Sequence, residues 1–268
     1  MALQMTIPVA GVARPMARRG HAVGAQPLEY GRRCWYAMRR WWWSGYWKLR
    51  VEGLEHVPRR GPVLLCANHA SHLDAPAILA SLPRALALRT STAAAKDVFG
   101  ERPGRALVSR LLTNSLPIQR CAESKGFARG LRELEAVLRD RRPLILFPEG
   151  RRSQGGALLP FNPGAAMLAL RTGAPIVPVF IEGAREALPR KHRLPRPADV
   201  RVFFGEPIDP RPVRRSVVAG ALSRRQAYDL LTERLRAEVA RLAVNAAASR
   251  NTEACNGCTR RAHWPPTA

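Results

Sequence analysis

Two short apolar runs, residues 63–67 and 144–147, each deliver the chain into a dense polar cluster. The first leads into Asn68-His69-Ala70-Ser71-His72-Leu73-Asp74 and the second into Pro148-Glu149-Gly150-Arg151-Arg152-Ser153. Apolar runs of this length bounded by turn residues read as strands. Further strands are expected at 47–54, separated from 63–67 by the turn Pro58-Arg59-Arg60-Gly61-Pro62, and at 84–89, 176–181 and 200–204. Helical stretches alternate with them. Residues 126–140 set Phe127, Leu131, Leu134 and Leu138 on one helical stripe; residues 223–244 set Leu231, Leu235, Val239 and Leu242 on another, with Ser223 as its cap. Strands alternating with helices predict an α/β domain, a mixed and largely parallel sheet covered by helices. Ligands of such sheets collect beyond the carboxyl ends of the strands, so two polar clusters at strand ends predict one shared pocket.

At 268 residues and 46% hydrophobic content, the chain has material for one substantial core rather than two large domains. The expected organisation is a flexible tail at 1–27, a catalytic domain at 28–246 and a disordered tail at 247–268, where periodicity stops. Within the domain, 28–47 form a membrane-interface segment, 48–212 the catalytic core and 213–246 a C-terminal helix. The formal charge is +24, which favours anionic lipid headgroups, phosphorylated small molecules, acidic carrier proteins or nucleic acid as partners. Of the five cysteines, Cys34, Cys66 and Cys121 are isolated, and Cys255 and Cys258 form a C-x-x-C pair without a second ligand pair. They read as reduced thiols, with Cys66 a small hydrophobe inside a strand. No apolar run approaches the roughly eighteen residues of a spanning helix, and the first residues lack a signal-peptide core.

Residues 28–50 change character. Trp35, Tyr36, Trp41, Trp42, Trp43, Tyr46 and Trp47 interleave with Arg32, Arg33, Arg39, Arg40, Lys48 and Arg50. Indole rings favour the bilayer interface and Arg or Lys meets lipid phosphates, so the segment reads as a helix lying on a membrane. The competing reading is a core helix with its aromatics turned inward. Three consecutive Trp cannot share one helical face, which favours the interface.

His69 and Asp74, five positions apart, can meet across a turn. Imidazole titrates near neutrality and can accept a hydroxyl proton, while a carboxylate on its other nitrogen fixes the tautomer and stabilises the imidazolium. This is a Ser-His-Asp system lacking its Ser, so the nucleophile would be a hydroxyl of the substrate. In the second cluster, Gly150 permits close backbone approach, Arg152 offers a fork for phosphate, and Glu149 can orient a hydroxyl or that Arg. Alone, Glu149 and Arg152 read equally as a local salt bridge.

Together the clusters resemble the glycerolipid acyltransferase family of 1-acylglycerol-3-phosphate acyltransferase type, with its Asn-His-x-x-x-x-Asp block and its Phe-Pro-Glu-Gly-Thr-Arg-Ser block. Leu116-Pro117-Ile118-Gln119-Arg120 and Ile176-Val177-Pro178-Val179 resemble two further blocks in the same order, and the resemblance runs from about Val51 to Asp209. It implies His69 as general base and Asp74 as its orienting partner, with Arg120, Glu149, Gly150 and Arg152 holding the acceptor and Asn68, Ser71, Arg151 and Ser153 as accessory residues. The implied reaction moves a fatty acyl group from acyl-CoA or acyl carrier protein to the sn-2 hydroxyl of 1-acylglycerol-3-phosphate, forming phosphatidic acid with no cofactor and no metal. Backbone N–H groups near the site would stabilise the tetrahedral oxyanion. The implied location is peripheral, on the cytoplasmic face of a membrane. Two departures bear on the acceptor: Arg151 stands where the family has Thr, and Asn162 where it often has Lys.

Other acceptors remain open: glycerol-3-phosphate, a lysophospholipid or an amino-acid lipid. A metal-dependent hydrolase using His69, His72 and Asp74 as ligands would need a further His or carboxylate cluster, and none stands out. Nucleic-acid binding is disfavoured, because the basic residues spread along the whole chain and the aromatics gather in one segment.

Overall fold

The computed structural model describes residues 34, 43, 45–95, 113–118, 125–153, 157–189, 192 and 194–261. Among these, seven strands form one sheet: β1 Arg50–Glu52, β2 Val63–Ala67, β3 Ser91–Ala95, β4 Ser115–Ile118, β5 Pro143–Leu146, β6 Ile176–Glu182 and β7 Arg201–Phe204, in the order β1-β7-β6-β2-β5-β3-β4. Every pairing is parallel except β6 with β7. The α/β expectation, mixed and largely parallel, is met.

Burial on both faces explains why β2 is apolar throughout. Val63, Leu65 and Ala67 point into one core with Ala77, Ile78 and Leu79 of α1 (Asp74–Ser81) and Leu86 and Ala87 of α2 (Arg84–Arg89). Leu64 and Cys66 point into the other. There they meet Leu131, Leu134 and Leu138 of α3 (Lys125–Arg139), Ala165 and Leu168 of α4 (Gly164–Thr172), and Leu231, Leu235 and Val239 of α7 (Arg224–Arg261). The two helical stripes legible in the sequence therefore cover the same face of the sheet, although the Phe127 side chain lies outside the described residues. Two shorter helices are also described, α5 (Ala184–Ala187) and α6 (Arg211–Val218).

Several expectations are corrected. Residues 84–89 are the helix α2 and the strand follows at Ser91. Arg-Ala-Leu-Ala-Leu-Arg satisfies either period, and the helical propensity of Ala and Leu, with Pro83 at the N-cap, decides it. The strand expected at 47–54 shrinks to Arg50–Glu52, ended by a short 3-10 turn at Leu54–His56. In place of one helix at 213–246 and a disordered tail, α6 and α7 are separated at Gly220, and α7 runs to Arg261. Ser223 caps α7 reciprocally: its Oγ accepts the Gln226 N–H, and Gln226 Oε1 accepts the Ser223 N–H. The helix is tied to the sheet at Ala246, whose carbonyl accepts from the buried Arg201, and beyond it at Arg250, which pairs with Glu182 at 3.1 Å. Cys255 and Cys258 lie on this helix. Most of 28–47 is outside the described residues, but Trp43 and Trp47 are core residues, 2% and 5% exposed, with ring centroids 4.6 Å apart. For those two the inward-facing reading holds.

Candidate active site

Strands β2 and β5 are parallel neighbours, with Cys66 opposite Leu146, so the loops leaving their carboxyl ends emerge side by side. Asn68 continues β2 by a side-chain imitation of sheet pairing. Its Nδ2 donates to the Ile181 carbonyl at 3.0 Å and its Oδ1 accepts the Ile181 N–H at 2.7 Å, anchoring the start of the loop to β6. One residue later the chain presents His69.

Asp74 opens α1 and is fully buried. Its Oδ2 accepts three N–H groups: His69 Nδ1 at 2.8 Å, the Ala70 amide at 2.7 Å and the Ser71 amide at 2.8 Å. Three donors on one oxygen fix the carboxylate and curl 69–74 into a tight loop. Because that carboxylate is an acceptor, the proton of a neutral His69 sits on Nδ1 and the lone pair on Nε2. Phe147 stacks on the imidazole at 4.2 Å between centroids, restraining the ring from one face. The side chain of His69 is 20% exposed, so the dyad is seated in the fold and still accessible.

The second cluster grips the backbone of the first. Glu149 Oε1 accepts the His69 N–H at 2.8 Å, and the Ser153 N–H donates to the His69 carbonyl at 2.8 Å. The other oxygen of Glu149 accepts the Leu159 N–H at 3.2 Å. Burial pushes the Glu149 carboxyl above its ordinary range, opposed by the N–H groups of His69 and Leu159. Gly150 has φ +68°, and a Cβ there would lie 3.0 Å from Asn162 Nδ2. Asn162 binds the Pro148 carbonyl through both its amide Nδ2 and its backbone N–H, each at 2.9 Å, and so clips the turn.

Of the residues singled out in the sequence, His69, Ser71, Asp74, Glu149 and Ser153 are thus gathered in one hydrogen-bonded unit, with Asn68 beside it bonded to Ile181 and Gly150 to the Phe147 carbonyl. Arg151 is exposed and Arg152 half-buried on the same turn, while Arg120 lies outside the described residues. His72 is exposed, and Asp74 Oδ2 is already engaged by three N–H donors. Among the described residues no group of three or more His, Cys, Asp and Glu is arranged to hold a metal ion. Cys66 is wholly buried, and burial pushes its thiol far up. Sequence reasoning missed Phe147, Ile181 and Asn162 as supports, and with them Leu188, whose carbonyl accepts the Ser71 hydroxyl at 3.0 Å. Asn162 alone carried a signal, its departure from the pattern.

The sequence model of the acyltransferase family matches residues 48–182. The chain belongs to this family. Among curated acyltransferases, a 1-acyl-sn-glycerol-3-phosphate acyltransferase of Cocos nucifera is 33% identical over 165 residues, 60% of this chain and 49% of that protein. The alpha form of Mus musculus is 26% identical over 146 residues, 54% of this chain and 49% of that protein. The chain spans about half the length of these curated relatives. The crystal structure of the 1-acyl-sn-glycerophosphate acyltransferase PlsC from Thermotoga maritima superposes with a TM-score of 0.57 at 26% identity, covering 81% of this chain and 78% of that one. Both polar clusters of this acyltransferase fall within the matched residues.

Proposed function

We propose that this acyltransferase moves a fatty acyl group from acyl-CoA or acyl carrier protein to the sn-2 hydroxyl of 1-acylglycerol-3-phosphate, yielding phosphatidic acid. The observation that carries the reading is the His69–Asp74 pair, 2.8 Å between Nδ1 and Oδ2, with no nucleophilic side chain among the described residues bonded to the imidazole. Ser71 Oγ donates to the Leu188 carbonyl and Cys66 lies in the core, so neither serves the base. The hydroxyl that His69 deprotonates is then the acceptor's own.

In this reading Nε2 takes the acceptor proton as its oxygen attacks the thioester carbonyl, and Asp74 steadies the imidazolium. The tetrahedral oxyanion collapses, the C–S bond breaks, and the thiolate leaves to regain a proton from His69. No acyl-enzyme forms. The N–H groups of His69, Ala70, Ser71, Gly150 and Ser153 are already engaged within the loops. In this reading the exposed Arg151 of the same turn opposes the charge of the oxyanion. Arg120 and Arg152 hold the acceptor phosphate. Glu149 and Gly150 act mainly by setting the turn that carries Arg152, and Asn68, Ser71 and Ser153 hold the loops.

The names of the curated relatives support this acceptor. A lysolipid partitions into the bilayer, so the acyltransferase works peripherally at a membrane surface. No helix of the described residues is long and apolar enough to cross a membrane. The test is incubation with a long-chain acyl thioester and 1-acylglycerol-3-phosphate, following free thiol and phosphatidic acid. Product formation supports the reading; transfer only to glycerol-3-phosphate, a lysophospholipid or an amino-acid lipid replaces the acceptor and keeps the chemistry.

A further inference from the structure

Helix α7 turns Leu231, Leu235 and Val239 into the core, with Leu242 and Ala246 following one another down the same side. At about 3.6 residues per turn, the opposite face is centred on Ala237, which is exposed. Along that outer face Leu230 and Val244 lie seven residues to either side of Ala237, 50% and 69% exposed. Large apolar side chains this open are few among the described residues, the others being Tyr46, Leu194 and Val218, so two on one stripe are notable. Closer in, Glu233 and Arg241 stand four residues to either side of Ala237, both exposed. Arg241 pairs with Glu238 of its own helix at 2.7 Å and keeps its side chain 54% exposed; the Glu233 carboxylate has no partner among the described residues.

The stripe is therefore complementary to its own reverse. Two copies laid antiparallel across a twofold axis at Ala237 bring Leu230 of one onto Val244 of the other, and Glu233 of one onto Arg241 of the other, each contact occurring twice. The small Ala237 at the crossing lets the two helices approach closely. Parallel pairing would instead set Glu233 level with Glu233 and Arg241 level with Arg241, which repel. A bilayer covering the same face would have to take the Glu233 carboxylate against its apolar layer.

We infer that the outer face of α7 is a self-association surface, on which two copies of this chain form an antiparallel, twofold dimer centred on Ala237. From Gln226 to Ala248 the stripe runs about 33 Å and is about 10 Å wide, a footprint of about 330 Å² per copy. The pair falls below the roughly 1,200 Å² of stable interfaces, so the dimer is reversible. Helix α7 covers the sheet face opposite α1, which begins with Asp74, so the pairing and the dyad lie on different faces.

The experiment is sedimentation velocity of the full chain from about 1 to about 200 µM, with dissociation constants in the micromolar range expected. Glu233→Arg and Arg241→Glu each weaken self-association by about tenfold or more, because each turns both attractive charge contacts into repulsive ones. An equimolar mixture of the two variants regains the dimer, since in the mixed pair acid again faces base at both contacts. Urea midpoints of both variants stay near the parental value, as expected for exposed helix positions. A parental chain that is monomeric throughout this range overturns the inference, as does parental self-association by both single variants or a mixture that stays monomeric. A monomeric parental chain whose binding to phosphatidylcholine vesicles is lost in Leu230→Glu would assign the face to a bilayer and likewise overturn it.

Discussion

Replacing Asp74 with Asn perturbs the dyad without emptying it. Asp74 Oδ2 accepts three N–H groups, whereas Oδ1 is buried with no partner among the described residues. An Asn fits with its carbonyl oxygen in the Oδ2 place and its NH2 in the Oδ1 place, preserving all three bonds and the imidazole tautomer. Two things change. A buried NH2 without an acceptor costs about 1–3 kcal/mol of stability. The imidazolium formed during proton transfer loses its charged partner, worth about 1.5–3 kcal/mol, which is about ten- to a hundredfold in kcat. Asp74→Ala differs in kind, because it strands three N–H donors at about 1–3 kcal/mol each, enough to threaten folding. Thiol release measures kcat and urea denaturation measures stability. Parental kcat in Asp74→Asn, or instability equal to that of Asp74→Ala, would refute the argument.

Burial raises the Glu149 carboxyl, so the native state holds this proton more tightly than the unfolded chain does. Its contribution is fully present below the unfolded value of about 4.3 and is lost as pH rises through the elevated native value. Glu149→Gln removes that dependence, so the stability advantage of the parent over the variant shrinks as pH rises across this window; urea midpoints at successive pH values check it, and a growing advantage would reverse the sign. Cys66→Ala keeps parental kcat, because the thiol is wholly buried on the sheet face opposite α1, and costs about 1 kcal/mol from a small cavity. Native Cys66 also resists thiol reagents until the protein unfolds; rapid labelling with loss of activity would argue against both statements.

The parts legible in the sequence are those set by local chemistry. A five-residue apolar strand covered on both faces announces itself, the stripes of α3 and α7 follow the helical period, and Ser223 with Gln226 forms a local cap. The pairing of His69 with Asp74 spans one tight loop and was equally readable. What the sequence concealed is non-local. The resemblance implied Glu149 as a residue holding the acceptor; that its carboxylate also binds the backbone of His69, eighty residues earlier in the chain, was not legible. That contact depends on β2 and β5 being neighbours, which no periodicity encodes. Residues 84–89 satisfy two periods at once. Past residue 246 the link seen among the described residues is polar, Arg250 pairing with Glu182, and such a link leaves no apolar stripe to read. Three consecutive tryptophans said only that no single helical face could bury them all; Trp43 is the one described among the three, and it lies inside.

The central claim is that His69 is the base for a substrate hydroxyl. The most direct test is His69→Ala in the folded protein, scored by free thiol and acylated lipid from the same long-chain thioester reaction. General-base catalysis contributes about a hundred- to ten-thousandfold, so both products should fall together by at least that lower factor while the urea midpoint stays near the parental value. A folded His69→Ala protein that still transfers acyl groups at the parental rate would contradict the claim.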